Sequence, residues 1–361
     1  MSAVLLYTLS VTYLYVDKIT LKGFGDSFRP LIYFIYFIFP LTIRISANDF
    51  KKLLKFIVIL SVVQIIFSIL VYIEPLWPLV DIYKGRVSSD IYYFHFLRWS
   101  GTFGYPSDFS FYLSFIAYLG IVKILFNYSE ADILKRKYSF LLLLMISILF
   151  TFSRGGIFTF VTMIFILMLY VIIKDIMRLK LRLTVFFVIF VCVLIGIVFL
   201  YNTTISSDNV LINYIKFSSL DNKIDSSTLH RLNELNIALR YFIEYFPFGS
   251  GPNRIEIAKQ LPVVESLYGY LFIKWGFIGF ILYLISIFYF SKSAIIVNKV
   301  FKDQNIKIFA IAFLTLTISV PLVFGLSSAI TDRYKCLPFF YTLAGYIVML
   351  KMIFKSDVIY D

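Results

Sequence analysis

The sequence predicts an all-α integral membrane protein with about ten transmembrane helices and one large external loop that contains an amphipathic helix. Three observations support this fold class. Apolar residues make up 60% of the 361 residues and charged residues only 15%, which is unlike a soluble domain. Apolar runs long enough to cross about 30 Å of hydrocarbon recur along the chain. Basic residues are concentrated in alternate short connections between these runs.

Apolar windows predict where the chain crosses the membrane. They lie near residues 1–16, 28–45, 53–76, 108–127, 139–153, 156–173, 183–201, 265–290, 308–326 and 336–354. The first window lacks a basic leader and a small-residue cleavage site, so we expect a first span and not a removed signal peptide. The whole chain, residues 1–361, is expected to form a single polytopic membrane domain.

The positions of Lys and Arg predict the orientation. Short connections on one side carry an excess of basic residues: Arg44, Lys51, Lys52 and Lys55; Lys135, Arg136 and Lys137; Lys174, Arg178, Lys180 and Arg182; Lys292, Lys299, Lys302 and Lys307. By the positive-inside rule these connections are cytoplasmic, and an even number of spans places both termini there. Topology thus explains the net charge of +13. The sequence contains no basic cluster that is interleaved with aromatic residues, so nothing in it indicates a nucleic-acid partner.

Three segments are then expected on the external side. The loop 77–107 is rich in aromatic residues, which suits the membrane interface. A tight corner at 151–156 joins the fifth and sixth spans. The large loop 202–264 carries six basic and six acidic residues, and it leads through the Pro/Gly-rich sequence 247–254 into the eighth span.

Within the large loop, Ser226–Phe246 is expected to form an amphipathic helix on the outer membrane–water boundary. Its apolar positions recur at steps of three and four, and they are Leu229, Leu232, Leu235, Leu239, Phe242 and Phe246. The other face carries Asn233, Asn236, Arg240 and Glu244, and the default for the last two is an i,i+4 ion pair. Pro247 ends the helix.

Arg154 is the sharpest indication of a ligand site. An arginine at the edge of the hydrocarbon is costly unless it meets water, a partner or an anionic ligand. Gly155 and Gly156 permit close approach, and the start of the following helix adds positive potential. The corner is therefore a candidate site for phosphate or pyrophosphate. The alternative is an arginine that extends to lipid headgroups, and the spacing alone leaves both open.

Four other residues are weaker candidates. Arg98 suits the same anion, although a salt bridge or solvent contact is the commoner role of a loop arginine. Arg231 and Arg254 are candidates as well, and Arg231 has Glu234 within reach as an alternative partner. Glu265, at the start of the eighth span, is either a general base toward a hydroxyl or an acid favoured by the helix dipole. No pattern indicates a metal or a cofactor.

Three of these segments occur in a characteristic order. Residues 98–106 have the sequence RWSGTFGYP and residues 151–156 the sequence TFSRGG. The third segment extends from Arg231 to Asn253 within the large loop, and it is followed by Glu265 and by the GxxG of Gly276 and Gly279. Together, across about residues 90–290, these segments resemble the bacterial O-antigen polymerase and O-antigen ligase superfamily. Ligases of that superfamily carry a His-Asn/Asp pair where this chain has Glu265-Ser266, which favours the polymerase branch.

The resemblance implies an undecaprenyl-pyrophosphate-linked oligosaccharide as donor, on the outer face of the bacterial cytoplasmic membrane. It implies metal-independent glycosyl transfer that builds O-antigen or capsular polysaccharide, with a chain-length regulator protein as a possible partner. Arg154 and Arg98 would bind the pyrophosphate, with Arg231 and Arg254 as secondary ligands, and Glu265 would orient or deprotonate the acceptor hydroxyl. The alternatives are an O-antigen ligase, a transporter of lipid-linked glycan and a structural membrane protein without chemistry.

Overall fold

The computed structural model describes residues 2–14, 28–43, 47–84, 98–103, 105–126, 128, 137–174, 226–251, 255–261, 264, 266–325 and 336–360. Several predictions lie outside these residues, among them the seventh span at 183–201, the loop part 202–225, Arg254 and Glu265. The helices that contain Arg154 and Arg231 are described, but the side chains of these two arginines are not.

All regular structure among the described residues is helical. In chain order the α-helices are α1 (Ser2–Leu14), α2 (Arg29–Thr42), α3 (Ala47–Ile69), α4 (Trp77–Lys84), α5 (Pro106–Leu125), α6 (Lys137–Phe150), α7 (Arg154–Lys174), α8 (Ser226–Glu244), α9 (Ile255–Gln260), α10 (Leu267–Tyr270), α11 (Gly276–Val300), α12 (Gln304–Ser319) and α13 (Cys336–Tyr360). Two π-helical segments, Leu271–Trp275 and Val320–Phe324, follow α10 and α12.

Several of these helices suit a membrane. Among the described residues, four stretches are long and apolar enough to span one: Asp49–Tyr72, Pro106–Leu125, Leu267–Val300 and Gln304–Phe324. Shorter apolar helices lie at other predicted windows: Leu31–Thr42, Tyr138–Phe150, Gly155–Tyr170 and Pro338–Ile353. The chain is therefore a helical membrane protein. The number of ten spans stays a prediction.

The helices form two compact units. The first consists of Met1–Arg44, Ser226–Lys302 and Val320–Asp361, and the second of Ile45–Asp225 and Asp303–Ser319. In the first unit the most extensive helix contact joins α2 and α13. The rings of Tyr33 and Tyr341 stack there at 5.0 Å between centroids. α13 also packs on α11.

In the second unit α5 is the central helix. Nearly all of its apolar stretch is buried, because α3, α6, α7 and α12 pack around it. Phe115 of α5 meets Phe309 of α12 edge-on, and Tyr118 meets Phe160 of α7 in the same way. A helix that is apolar on all sides is expected to occupy such an interior position.

The amphipathic helix forms as α8, with bounds close to those predicted. Part of the predicted apolar stripe faces away from the protein, since Leu232 and Leu239 are half exposed, whereas Phe242 packs against Phe272. A different stripe, Glu234, Ala238 and Tyr241, is buried. Ala238 and Tyr241 pack against Ile257 and Leu261 near α9 and against Ile273. α8 therefore has three sides: one packed on the protein, one apolar and exposed, and one polar.

Candidate functional site

The corner between α6 and α7 is as tight as the sequence predicted. α6 ends at Phe150 and α7 begins at Arg154. Phe152 turns the chain with φ 46°, a conformation that non-glycine residues rarely adopt. Ser153 caps α7, because its Oγ accepts a hydrogen bond from Gly156 N at 3.2 Å. The corner thus positions Arg154 as the first residue of a 21-residue helix.

Arg98 holds this corner through two side-chain hydrogen bonds. Its side chain is only 7% exposed. Nε donates to the carbonyl oxygen of Thr151 at 2.9 Å, and Nη2 donates to that of Phe152 at 2.7 Å. These carbonyls follow the C-terminus of α6, where a cation is favoured by the helix dipole. The guanidinium of Arg98 therefore has a structural role in the corner, and its predicted contact with pyrophosphate stays a prediction.

The turn after Arg98 is held by α3. Gln64 Oε1 accepts hydrogen bonds from Thr102 N at 2.8 Å and from Thr102 Oγ1 at 3.0 Å. Ser68 Oγ accepts one from Gly101 N at 2.7 Å. Gly101 has φ 53°, and a Cβ atom there would lie 3.0 Å from the carbonyl oxygen of Gln64. Local geometry therefore explains the sequence Gly101-Thr102: the glycine permits the turn, and the threonine attaches the turn to Gln64 of α3.

Gly156 has a packing role. A Cβ atom at this position would overlap the side chain of Ser110 on α5, so glycine lets α7 approach α5 closely. The sequence suggests that Gly155 and Gly156 let a ligand approach closely, but the neighbour of Gly156 in the structure is this serine. Asp108 lies in the first turn of α5 and is buried, with Ser107 Oγ at 3.3 Å from its Oδ1.

In the first unit the chain that follows α8 packs across the eighth predicted span, and the two backbones are in direct contact. We call this contact, between Pro247–Gly251 and Ile273–Ile278, the glycine crossing. Ser250 N donates to the carbonyl oxygen of Ile273 at 2.8 Å, and Ile278 N donates to that of Pro247 at 3.2 Å. A Cβ atom on Gly249 or on Gly276 would overlap the backbone of the other.

The same contact interrupts the span. The sequence predicts a span near 265–290, and in the structure its helix is not continuous, because α10 passes into a π-helical segment that ends at Trp275. Gly276 then turns with φ 58° and ψ −158°, and α11 continues to Val300. π-Helical segments are frequent at functional sites. Tyr7 of α1 lies beside the break, with its hydroxyl 2.6 Å from the carbonyl oxygen of Trp275.

A buried carboxyl group lies where the eighth span begins. Glu234 of α8 is 0% exposed. Its Oε1 accepts hydrogen bonds from Ser266 N at 2.9 Å and from Ser266 Oγ at 2.5 Å. Ser266 is the N-cap of α10, and it directly follows the candidate base Glu265 in the sequence. The sequence alone suggests Glu234 only as a partner for Arg231.

Lys274 is a second charged residue that we did not predict to matter. It is 7% exposed within an apolar stretch, and its Nζ lies 4.5 Å from the ring centroid of Tyr270. The signal was present in the sequence, because a single lysine within a predicted span is unusual and often functional. The burial of Glu234 had no such signal, since it depends on contacts with residues far along the chain.

One predicted ion pair is wrong. Arg240 does not pair with Glu244 but donates from Nη2 to the Gln260 side chain, and its guanidinium lies 5.3 Å from the ring centroid of Tyr241. The helix-surface rule considers only neighbours on the same helix, whereas α9 supplies an acceptor from outside.

Comparison with known proteins adds no identification. No protein-family profile matches the chain, and no curated protein is significantly similar to it.

Proposed function

We propose that this protein polymerises undecaprenyl-pyrophosphate-linked oligosaccharide repeat units on the outer face of the bacterial cytoplasmic membrane. The product is O-antigen or capsular polysaccharide. One observation carries the proposal: the corner of Thr151–Gly156 presents Arg154 at the start of an apolar helix and is held by the buried Arg98. The order of the three sequence segments supports the same superfamily.

The corner has the properties of an anion site. The start of α7 is the positive end of a helix dipole, and Arg154 adds a full charge there. An arginine binds a phosphate through two parallel hydrogen bonds, so it suits a pyrophosphate better than a point charge does. Because Arg98 and Ser153 already hold the backbone, little reorganisation is needed when the anion binds.

The reaction follows from this assignment. An acceptor hydroxyl on one lipid-linked unit attacks the anomeric carbon of another, and a new glycosidic C–O bond forms. The bond from that carbon to the pyrophosphate oxygen breaks, and the lipid pyrophosphate leaves. Arg154 stabilises the negative charge that develops on the leaving group. Glu265 accepts the proton of the attacking hydroxyl.

The test is a glycan ladder from a deletion strain complemented with wild type, Arg154→Ala, Arg154→Lys or Arg240→Ala. We expect Arg154→Ala to lower polymer yield by at least about 100-fold while the protein stays abundant in the membrane, because a transition-state contact is lost. Arg154→Lys should fail as well, since it lacks the bidentate geometry. Arg240→Ala is the matched control and should keep the ladder, because Arg240 is exposed and bound to Gln260.

The other outcomes separate the alternatives. A ladder that persists on the lipid carrier in the deletion strain indicates the ligase. A normal ladder with Arg154→Ala contradicts the assigned role of this arginine. An unchanged surface glycan in the deletion strain contradicts both enzyme functions.

One observation favours a transporter as the second candidate. The stretch Leu267–Val300 is broken at Gly276, and the buried Lys274 lies beside the break. Discontinuous helices with charged groups at the break are a feature of transporter substrate sites. Proteoliposomes containing the purified protein distinguish the two functions: a transporter moves lipid-linked glycan between leaflets without lengthening it, whereas a polymerase lengthens it.

A further inference from the structure

Glu234 connects α8 to the start of the eighth span. Its Oε1 receives both the backbone N–H and the hydroxyl of Ser266, at 2.9 and 2.5 Å. The residue is fully buried. A buried carboxyl group is costly unless hydrogen bonds compensate for the loss of water, so this contact is specific and not an incidental surface pairing.

Ser266 continues the connection into the span. Its Oγ donates to Glu234 and accepts a hydrogen bond from Gly269 N at 3.1 Å. The three groups form a chain, Gly269 N–H to Ser266 Oγ–H to Glu234 Oε1, and bonds in such a chain strengthen one another. Gly269 leaves room for it, because a Cβ atom there would lie 2.5 Å from Ser266 Oγ and 2.7 Å from Glu234 Oε1.

The element that carries Glu234 is itself firmly packed. Ala238 and Tyr241 are buried against Ile257, Leu261 and Ile273. Further along the helix, the ring of Phe242 lies 5.0 Å from that of Phe272. The glycine crossing then holds the chain immediately after α8. Glu234 is therefore presented by a helix that cannot shift easily relative to the span.

We propose that Glu234 is a positioning residue for the polymerase reaction. It holds Ser266, the N-cap of α10, and thereby fixes the start of the helix that directly follows the candidate base Glu265 in the sequence. This inference rests on the proposed function. A catalytic group must be held within about 0.5 Å of its productive position, and a displacement of about 1 Å costs on the order of 100-fold in rate.

The length of the side chain, and not its charge, is what this role requires. Glu234→Asp keeps the charge but withdraws the carboxyl group by about 1.5 Å, one bond length along the chain. Glu234→Gln keeps the length and a carbonyl oxygen that accepts both hydrogen bonds of Ser266. A positioning role therefore predicts that glutamine substitutes better than aspartate, and a role that depends on charge predicts the reverse.

The experiment uses the purified full-length protein with a lipid-linked repeat unit and measures kcat and KM. We expect Glu234→Asp to lower kcat by about 10- to 100-fold with KM within about threefold of wild type. Glu234→Gln should stay within about threefold in kcat. Glu244→Asp, a change at an exposed acid on the same helix, is the control and should match wild type.

Hydrogen exchange of the segment 264–270 provides a readout that needs no activity. We expect the amide of Ser266 to exchange about tenfold faster in Glu234→Asp than in wild type or Glu244→Asp, since its acceptor is withdrawn.

The outcomes separate the two proposals. Faster exchange with an unchanged kcat overturns the positioning role alone. Unchanged exchange in Glu234→Asp, or glutamine that is worse than aspartate, also overturns it. Wild-type protein that does not polymerise at all overturns the proposed function together with the role of Glu234.

Discussion

At Gly276 the backbone has φ 58° and ψ −158°, a combination that is essentially restricted to glycine. Its neighbour across the crossing, Gly249, has φ 76° and is equally constrained by space. Two glycines that oppose each other let the two backbones meet directly and exchange hydrogen bonds. A single side chain at either position would separate them.

Gly276→Ala is therefore expected to destabilise the first unit. A Cβ atom at this position would lie 2.6 Å from the carbonyl oxygen of Pro247 and would force an unfavourable backbone conformation. We expect a loss of at least about 2–3 kcal/mol, which lowers the thermal unfolding midpoint in detergent by about 5–10 °C. Ile285→Ala, a change at an exposed position of the same helix, is the control. A midpoint equal to that of the control would contradict the account of the crossing.

At the scale of the single element, α8 combines three environments. Its buried side packs on the first unit, while Leu239 and Ile243 are 42% and 75% exposed. Phe246 lies just beyond the end of α8, and its ring centroid is 5.6 Å from that of Phe277 on α11. Both side chains are exposed. The exposed apolar side of α8 thus continues onto a stretch that is apolar enough to span a membrane. We therefore expect these exposed side chains to contact lipid.

Cysteine substitution tests this contact. Leu239→Cys, labelled with a fluorophore in proteoliposomes, should be quenched strongly by lipids that carry a quencher near the headgroup. Asn233→Cys is the matched control, because it is exposed on the polar side of the same helix and should be quenched at least about threefold less. Equal quenching at both positions would mean that α8 does not lie on the membrane with its apolar side.

Across the whole molecule, several contacts agree with the predicted sidedness. In the second unit Lys51 and Asp303 form an ion pair at 3.5 Å, and both belong to connections predicted to be cytoplasmic. Arg98 and Thr151 belong to two segments predicted to be external, and they are hydrogen-bonded. In the first unit the Tyr268 hydroxyl donates to the carbonyl oxygen of Pro321 at 2.9 Å, which joins two ends predicted to be external. The absolute orientation stays a prediction.

Labelling of single cysteines in intact cells tests that orientation. Lys259→Cys should react with a membrane-impermeant maleimide added from outside. Lys302→Cys should react only after the membrane is made permeable, because its connection is rich in basic residues. Both lysines are exposed, so burial does not confound the comparison. The opposite pattern would reverse the topology.

Local sequence signals predicted the corner and α8 well. Thr151–Gly156 contains a serine that caps the next helix, and Pro247 limits the extent of α8; both act over a few residues. The break at Gly276 could not be predicted in this way, because it depends on Gly249, which is distant in the chain. The burial of Glu234 and the bond from Arg240 to Gln260 depend on tertiary packing in the same manner. A hydropathy window averages the hydropathy of neighbouring residues, so it contains no information about contacts with residues that are distant in the chain.

The glycine crossing also closes the chain into a ring without a covalent bond. The segment between Gly251 and Lys274, whose backbones are hydrogen-bonded at 3.2 Å, includes both Arg254 and Glu265. A covalent bridge between the same two ends would lower the conformational entropy of the unfolded chain, which is worth about 3–4 kcal/mol, whereas these hydrogen bonds restrict the segment only in the folded protein. The two ends of this segment are therefore held together at its base by backbone hydrogen bonds, independently of the contact that Ser266, within the segment, makes with Glu234.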